Sequence, residues 1–293
     1  MPFALRHVPV ALAFALSLAA CSDSMEPTAE SGSSEDELVA CGWLSGGSCQ
    51  RLPSGNWRTP DFWADVYLAK YASQLEYAKT HVEKGPTPLA KRRPVLLITG
   101  VTIRAEWFDP IVLRLKRDGF DPVVYEPPAL LSGDLFKESA ALDAVVEKVR
   151  KDAGVEKIDI LAECTGGLIA RHYINALGGD AKVSRMVTFV SPEHGIAAVP
   201  LVAALVHWPA LYDLSPGSKF LTTVNSEKAS AVPMTSIYTC TDEYIQPYKT
   251  SIIPGATNIA LCGNGFVGHF QTFYDPAIYL TMHDALVKEL PSK

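Results

Sequence analysis

Three side chains able to carry out acyl chemistry stand far apart in this 293-residue chain: a thiol at Cys164, a carboxylate at Asp242 and an imidazole at His269. Cys164 falls in the string Ala162-Glu163-Cys164-Thr165-Gly166-Gly167, between the apolar run "KIDILAE" and a helical pattern that follows it. A nucleophile at the apex of a strand-turn-helix is strained, so the residues two before and two after it must be small. Ala162 and Gly166 meet that need. The N–H of Thr165 would then lie at a helix N-terminus, where donors are unpaired and negative charge is favoured. Such a turn suits a sulfur that attacks a carbonyl while Thr165 receives the developing oxyanion. The plainer alternative is a buried structural cysteine.

A thiol nucleophile needs a base, and the base needs an acid to orient it. Asp242, with Glu243 beside it, is the first acid after the strand-like "MTSIYTC". His269 lies in the Gly-rich stretch "CGNGFVGHFQTFYDPAIY". His194 in "SPEHG" is the strongest rival base. His172 and His283 fall within helical patterns, His207 in an apolar stretch, and His7 and His81 far from any strand end. With His269 as partner, Cys164 is expected to be a thiolate near neutral pH. Glu163 is expected at the sheet edge with access to water; an inward carboxylate would instead raise the thiol pKa.

The elements that must position these groups can be read from periodicity. Helical spacing runs from Asp61 to Lys84, around Trp107 to Leu115, from Asp134 to Ala153 and from about Pro276 to Leu290. Strand-like runs are "RPVLLIT", "DPVVYEP", "KIDILAE", "SRMVTFVS", "MTSIYTC" and "TNIALC". Alternating strands and helices predict an α/β fold with a mostly parallel sheet, helices on both faces and reactive groups at the strands' carboxyl ends. Residues 196–233 break the alternation. This apolar stretch, punctuated by Pro200, Pro209 and Pro216, is expected to form a lid or cap insertion. From it Val199, Leu205, Trp208, Phe220 and Leu221, with Leu201, Val202 and Leu211, are candidates to line a substrate pocket, to form a lid or simply to roof the core.

Composition is that of a globular protein, with 48% hydrophobic residues and 20% charged. A net charge of −6 gives no basis for nucleic-acid binding. Arg6 and His7 precede an apolar run, Val8 to Ala20, too short to span a membrane as a stable helix. It ends in Leu18-Ala19-Ala20-Cys21, which resembles the lipobox of bacterial lipoproteins. Residues 1–20 are therefore expected to be a signal peptide, with lipid added at Cys21. Residues 21–40 hold six acids and no base, and are expected to be a tether. A catalytic domain follows over 41–293. The expected location is the outer membrane or cell surface, with plain secretion as the alternative. For an exported protein the economical disulfides are Cys41–Cys49 and Cys240–Cys262, leaving Cys164 free. No cofactor and no metal are expected, since no ligand pair has metal-site spacing, and the chain is expected to be a monomer.

The strings "PVLLITGVT", "ILAECTGGLIARHYI", "VTFVSPEHG", "DLSPGSKFL", "TSIYTCTDEYIQP" and "GFVGHFQTFYDPAIY" together resemble lipases of the alpha/beta-hydrolase superfamily. The likeness is to the class-2 bacterial lipase group, near the Candida antarctica lipase B type, and runs from about Pro94 to Tyr279. It implies a carboxylic ester hydrolase acting on apolar esters, with Asp242 rather than Glu243 as the acid. It also implies that Val101, in Gly100-Val101-Thr102, donates the second oxyanion hydrogen bond, with Thr102 near the substrate. This chain departs from the pattern at Cys164, Ala162, Glu163 and Val101. An acyltransferase or polyester synthase-like enzyme using the same cysteine is one alternative. A non-catalytic lipid-binding lipoprotein on the same scaffold is another.

Overall fold

The computed structural model describes residues 39–41, 49–51, 71–81, 93–262 and 267–290. The expected signal peptide, Cys21 and most of the expected tether lie outside these residues. Strands β1 (Val39–Cys41) and β2 (Cys49–Arg51) form an antiparallel ribbon whose backbone sets Cys41 opposite Cys49. The ribbon begins two residues ahead of the expected boundary at Cys41, and the Cys41–Cys49 bond itself lies outside what is described. Of the helix expected over Asp61 to Lys84, residues 71–80 are described and helical.

The main sheet has six strands: β3 (Arg93–Ile98), β4 (Phe120–Tyr125), β5 (Ile158–Glu163), β6 (Val183–Phe189), β7 (Met234–Thr239) and β8 (Thr257–Leu261). Their spatial order is β4-β3-β5-β6-β7-β8, and every pairing is parallel. Successive side chains of a strand point to opposite faces. Leu96, Ile98, Ile160 and Ala162 therefore join one core, and Val95, Leu97, Leu161 and Val187 the other. A sheet covered on both faces explains why these strands read as continuous apolar runs.

Helices α1 (Asp109–Arg117) and α7 (Pro276–Val287) cover one face through Ile111, Leu115, Ile278, Met282 and Leu286. Helices α2 (Leu135–Ala153) and α3 (Thr165–Ala176) cover the other through Leu142, Val146, Leu168, Ile169 and Tyr173. Local chemistry sets their ends. Asp134 accepts from the N–H groups of Phe136 and Lys137, and Asp275 from those of Ala277 and Ile278. Gly154 closes α2 at φ 64°.

The stretch 196–233 contains three short helices, α4 (Val199–Val206), α5 (Pro209–Asp213) and α6 (Lys219–Ser226). Proline opens α4 and α5, where its missing N–H costs nothing. Asp213 Oδ2 accepts from the Leu135 N–H, and Ser132 O from the Ala210 N–H, which ties this block to the start of α2. A buried ion pair, Arg171 Nε to Glu193 Oε2 at 3.1 Å, joins α3 to the segment after β6. Arg171 Nη2 also donates to Asn225 Oδ1 of α6 at 2.8 Å.

The turn from β5 into α3 is close-packed. A Cβ at Gly166 would come within 2.8 Å of the carbonyl oxygens of both Ile98 and Thr99. Those are backbone atoms of the neighbouring strand and its extension, so they cannot rotate away. Gly166→Ala is expected to cost about 1–3 kcal/mol through overpacking. Thermal unfolding checks this; an unchanged midpoint would mean that α3 does not pack this closely on β3.

Candidate active site

Cys164 is the hinge between β5 and α3. Its backbone, at φ 47° and ψ −124°, lies in a region that side-chain-bearing residues rarely adopt. The strain is held by its own N–H, which donates to Phe189 O, and by the Gly167 N–H, which donates to Cys164 O. Along a flat strand, residues 163 and 164 would point to opposite faces. The reversal at Cys164 instead brings both side chains to one space above the strand ends, where they meet His269.

The imidazole of His269 is buried between two carboxylates. Nδ1 lies 2.8 Å from Asp242 Oδ2, and Nε2 lies 3.0 Å from Glu163 Oε1. Asp242 is held by its other oxygen, which accepts from the Tyr244 and Ile245 N–H groups at 2.8 Å each. Glu243, the alternative acid in sequence, bonds the backbone instead: its Oε2 accepts from the His269 N–H at 2.8 Å. The ring edges of Tyr244 and Phe270 flank the imidazole. The Cys240–Cys262 disulfide forms as expected and links the end of β7 to the residue after β8, just ahead of the loops that carry Asp242 and His269.

The position of Glu163 corrects the sequence reading. It is not at a watery sheet edge but fully buried, with Oε2 accepting from the Gly100 N–H at 2.7 Å. A Cβ at Gly100 would stand 2.5 Å from that oxygen, so glycine there makes room for the carboxylate. The signal was present in sequence: an acid at the end of a strand with no solvent-facing side must have an internal partner.

These contacts determine where protons sit. A carboxylate can only accept, so each of the two His269 contacts requires a proton between its partners. The ring is therefore imidazolium, or neutral with Glu163 protonated. Burial by itself would lower the His269 pKa, but Asp242 and the hydrogen bonds from its neighbours carry it well above 6.5. Burial raises the Glu163 pKa, with His269 opposing. Burial and the adjacent Glu163 raise the Cys164 pKa above 9.0, and hydrogen bonding to His269 only partly offsets this. Burial and the neighbouring carboxylate thus oppose the thiolate expected near neutral pH.

Cys164, Glu163 and His269 open onto a largely apolar cavity. Val101, Thr102 and Thr165 line it, together with Val199, Val202, Trp208, Leu211 and Leu214 of the 196–233 stretch. Thr165 begins α3, so its N–H has no acceptor a turn back within the helix. The Thr102 N–H donates to Leu130 O, and Thr102 itself adopts φ 65°. Leu130 belongs to a left-handed turn, with φ of 49°, 52° and 56° at Ala129, Leu130 and Leu131. Four expected lining residues are not there, among them Leu201, which is exposed on α4. Leu205 points outward at 74% exposure, because the face of α4 toward the cavity carries Val199, Val202 and Val206. Phe220 and Leu221 are buried in the core, with Phe220 packed on Phe136 and His172. Ile196, Tyr244, Ile245 and Phe270 line the cavity and were not anticipated, since nothing local in the sequence brings their loops together.

The rival histidines have other partners. His194 Nε2 meets Ile252 O at 3.1 Å, His207 Nδ1 meets the Tyr212 hydroxyl at 3.0 Å, and His172 pairs with Glu227. Cys164 remains unpaired. Although no sequence pair has metal-ligand spacing, the chain brings one ligand atom each from Glu163, Cys164 and His269 within 4.8 Å of one another.

No protein-family model matches the chain. Lipase B of Pseudozyma antarctica is 26% identical over 233 residues, which are 74% of this chain and 65% of that protein. The chain thus spans just under two thirds of the length of this relative. The crystal structure of Aspergillus fumigatus lipase B superposes with a TM-score of 0.61 at 21% identity, covering 73% of this chain and 57% of that one. The mature form of a Bacillus licheniformis lipase superposes with a TM-score of 0.57 at 15% identity, covering 71% and 96%. With a six-stranded parallel sheet, helices on both faces and a strained residue at the β5–α3 turn, the chain has the fold of the alpha/beta hydrolases.

Proposed function

We propose that this protein is a carboxylic ester hydrolase of the lipase or esterase type. It acts on apolar esters through Cys164, His269 and Asp242, with an acyl thioester intermediate. One observation carries the reading: a sulfur on a strained turn shares an apolar cavity with an imidazole whose Nδ1 is bonded to a buried carboxylate. The likeness to lipase B of Pseudozyma antarctica supports it.

Cys164 Sγ attacks the ester carbonyl as its proton passes to His269 Nε2. The oxyanion is received by the N–H groups of Thr165 and Val101. The alcohol departs with the proton from Nε2, leaving the acyl group on sulfur. Water then attacks the thioester, giving a proton to Nε2, and the carboxylic acid is released as sulfur regains its proton. Asp242 keeps Nδ1 protonated and stabilises positive charge on the ring throughout. Nε2 can take the thiol proton only when it is unprotonated. Glu163, whose burial favours its protonated form, is the neighbour able to draw that proton aside. Val199, Val202, Trp208 and Leu211 form an apolar bed for the acyl chain.

Turnover of p-nitrophenyl esters and intact-protein mass after brief exposure to an activated ester test this reading. Wild type should gain one acyl group, on Cys164, and Cys164→Ala none. His269→Ala should lose about 10²–10⁴-fold in turnover. Wild-type turnover by Cys164→Ala would refute the proposed nucleophile.

The raised thiol pKa gives a second expectation. Because the thiolate is the reactive form, alkylation of Cys164 by iodoacetamide should still accelerate as pH rises through 9.0. Where Glu163 is ionised at alkaline pH it disfavours the adjacent thiolate, so Glu163→Gln should move the profile to lower pH. A plateau already reached near neutrality in wild type would contradict this.

We further propose that Cys21 carries lipid and holds the domain at a bacterial outer membrane, near apolar esters. When the full chain is expressed in a bacterium with lipoprotein processing, wild type should enter the detergent phase on phase separation and Cys21→Ala the aqueous phase. Equal partition would argue against the anchor.

A further inference from the structure

The three groups that meet at the strand ends are the three protein ligand types that zinc prefers: a thiol, an imidazole and a carboxylate. Their ligand atoms, Cys164 Sγ, His269 Nε2 and Glu163 Oε1, lie within 4.8 Å of one another. A tetrahedral zinc with bonds of about 2.0–2.3 Å sets such atoms roughly 3.3–3.6 Å apart. The Oε1 to Nε2 separation of 3.0 Å would open slightly, and the sulfur would close on both. The surroundings match what a ligated histidine requires. Asp242 sits on Nδ1 at 2.8 Å, and such a carboxylate behind the ring holds Nε2 toward a metal. Glu163 is fixed in turn by the Gly100 N–H. All three residues line the cavity.

We infer that Glu163, Cys164 and His269 form a binding site for a zinc-like divalent cation, which closes the thiol to other chemistry while it is bound. Binding replaces the proton on Cys164 Sγ and the one held between His269 Nε2 and Glu163 Oε1 with one dication, and both protons leave to solvent; the Nδ1 proton stays on the ring, donated to Asp242. The thiolate and imidazole select zinc over magnesium or calcium, which take oxygen ligands. As regulation of the ester-cleaving site, the inference rests on the proposed function, because the metal would occupy the lone pairs that catalysis needs. As a binding site it stands without turnover.

The test uses the full chain freed of metal by a chelator that is then dialysed away. Zinc uptake is followed by calorimetry, and cobalt(II) uptake by its thiolate charge-transfer absorption. Wild type should take up one zinc in this site, show the charge-transfer band, and become resistant to iodoacetamide at Cys164 until a chelator is added. Magnesium should not displace the zinc. Cys164→Ala should abolish the band and the corresponding zinc uptake. Asp242→Asn, which touches no metal, should weaken uptake about 10–100-fold. Glu163→Gln should weaken it as well, and circular dichroism shows whether that variant keeps its fold; if it does not, Cys164→Ala decides alone. Undiminished zinc uptake by Cys164→Ala would assign the metal to other residues and overturn the inference, as would zinc leaving the alkylation rate of wild type unchanged. Ester turnover without zinc uptake defeats this inference alone, whereas zinc uptake without turnover defeats only the proposed function.

Discussion

The active-site region depends on one buried ring. His269 lies between Asp242 and Glu163 with a carboxylate on each nitrogen, and almost none of it reaches solvent. Burying two carboxylates is costly unless protons and hydrogen bonds compensate. Every group nearby is arranged to that end. Asp242 takes two backbone N–H groups, Glu163 takes one from Gly100, and Glu243 secures the backbone of His269 itself. Removing any of the three acids would leave the N–H groups that each now accepts from without that partner.

That constraint explains where the chain accepts strain. Cys164 and Thr102 both adopt positive φ, and a left-handed turn at Ala129 to Leu131 supplies the carbonyl that binds the Thr102 N–H. Conformations of this kind cost side-chain-bearing residues energy and persist where the surroundings over-determine them. Here those surroundings are the parallel strands beneath. Gly166 packs on the carbonyls of β3 and its extension, and the Cys164 N–H is taken by the last residue of β6. The strand ends converge, and side chains from β5 and from the loops after β7 and β8 meet over them.

A sulfur in this setting differs from a freely ionising thiol. Burial and the neighbouring carboxylate favour its protonated form. The lone pairs needed for attack on a carbonyl, on sulfur and on Nε2, are the same ones a zinc-like cation would take. Under the proposed function and the inferred zinc site, proton, acyl group and metal would compete for one small set of atoms beside Glu163.

The sheet, its helices and the strand ends at which Cys164, Asp242 and His269 stand were legible in the sequence. Strands buried on both faces must be apolar throughout, helices must show one apolar stripe, and a residue at a strained turn needs small neighbours; all three leave local patterns. The insertion at 196–233 announced itself by breaking the alternation. What folding alone decided is which groups touch. Asp242 and Glu243 are adjacent and chemically alike, and only the path of the loop sends one to Nδ1 and the other to a backbone N–H. Leu205 and Val202 are equally apolar, and only the rotation of a short helix turns one to water and the other to the cavity. Glu163 looked like a residue with a watery edge because strand alternation separates neighbours, whereas the reversal at Cys164 brings them together. Composition and spacing record what each residue can do; the meeting of residues a hundred positions apart depends on strand order and backbone reversal, which no local pattern encodes.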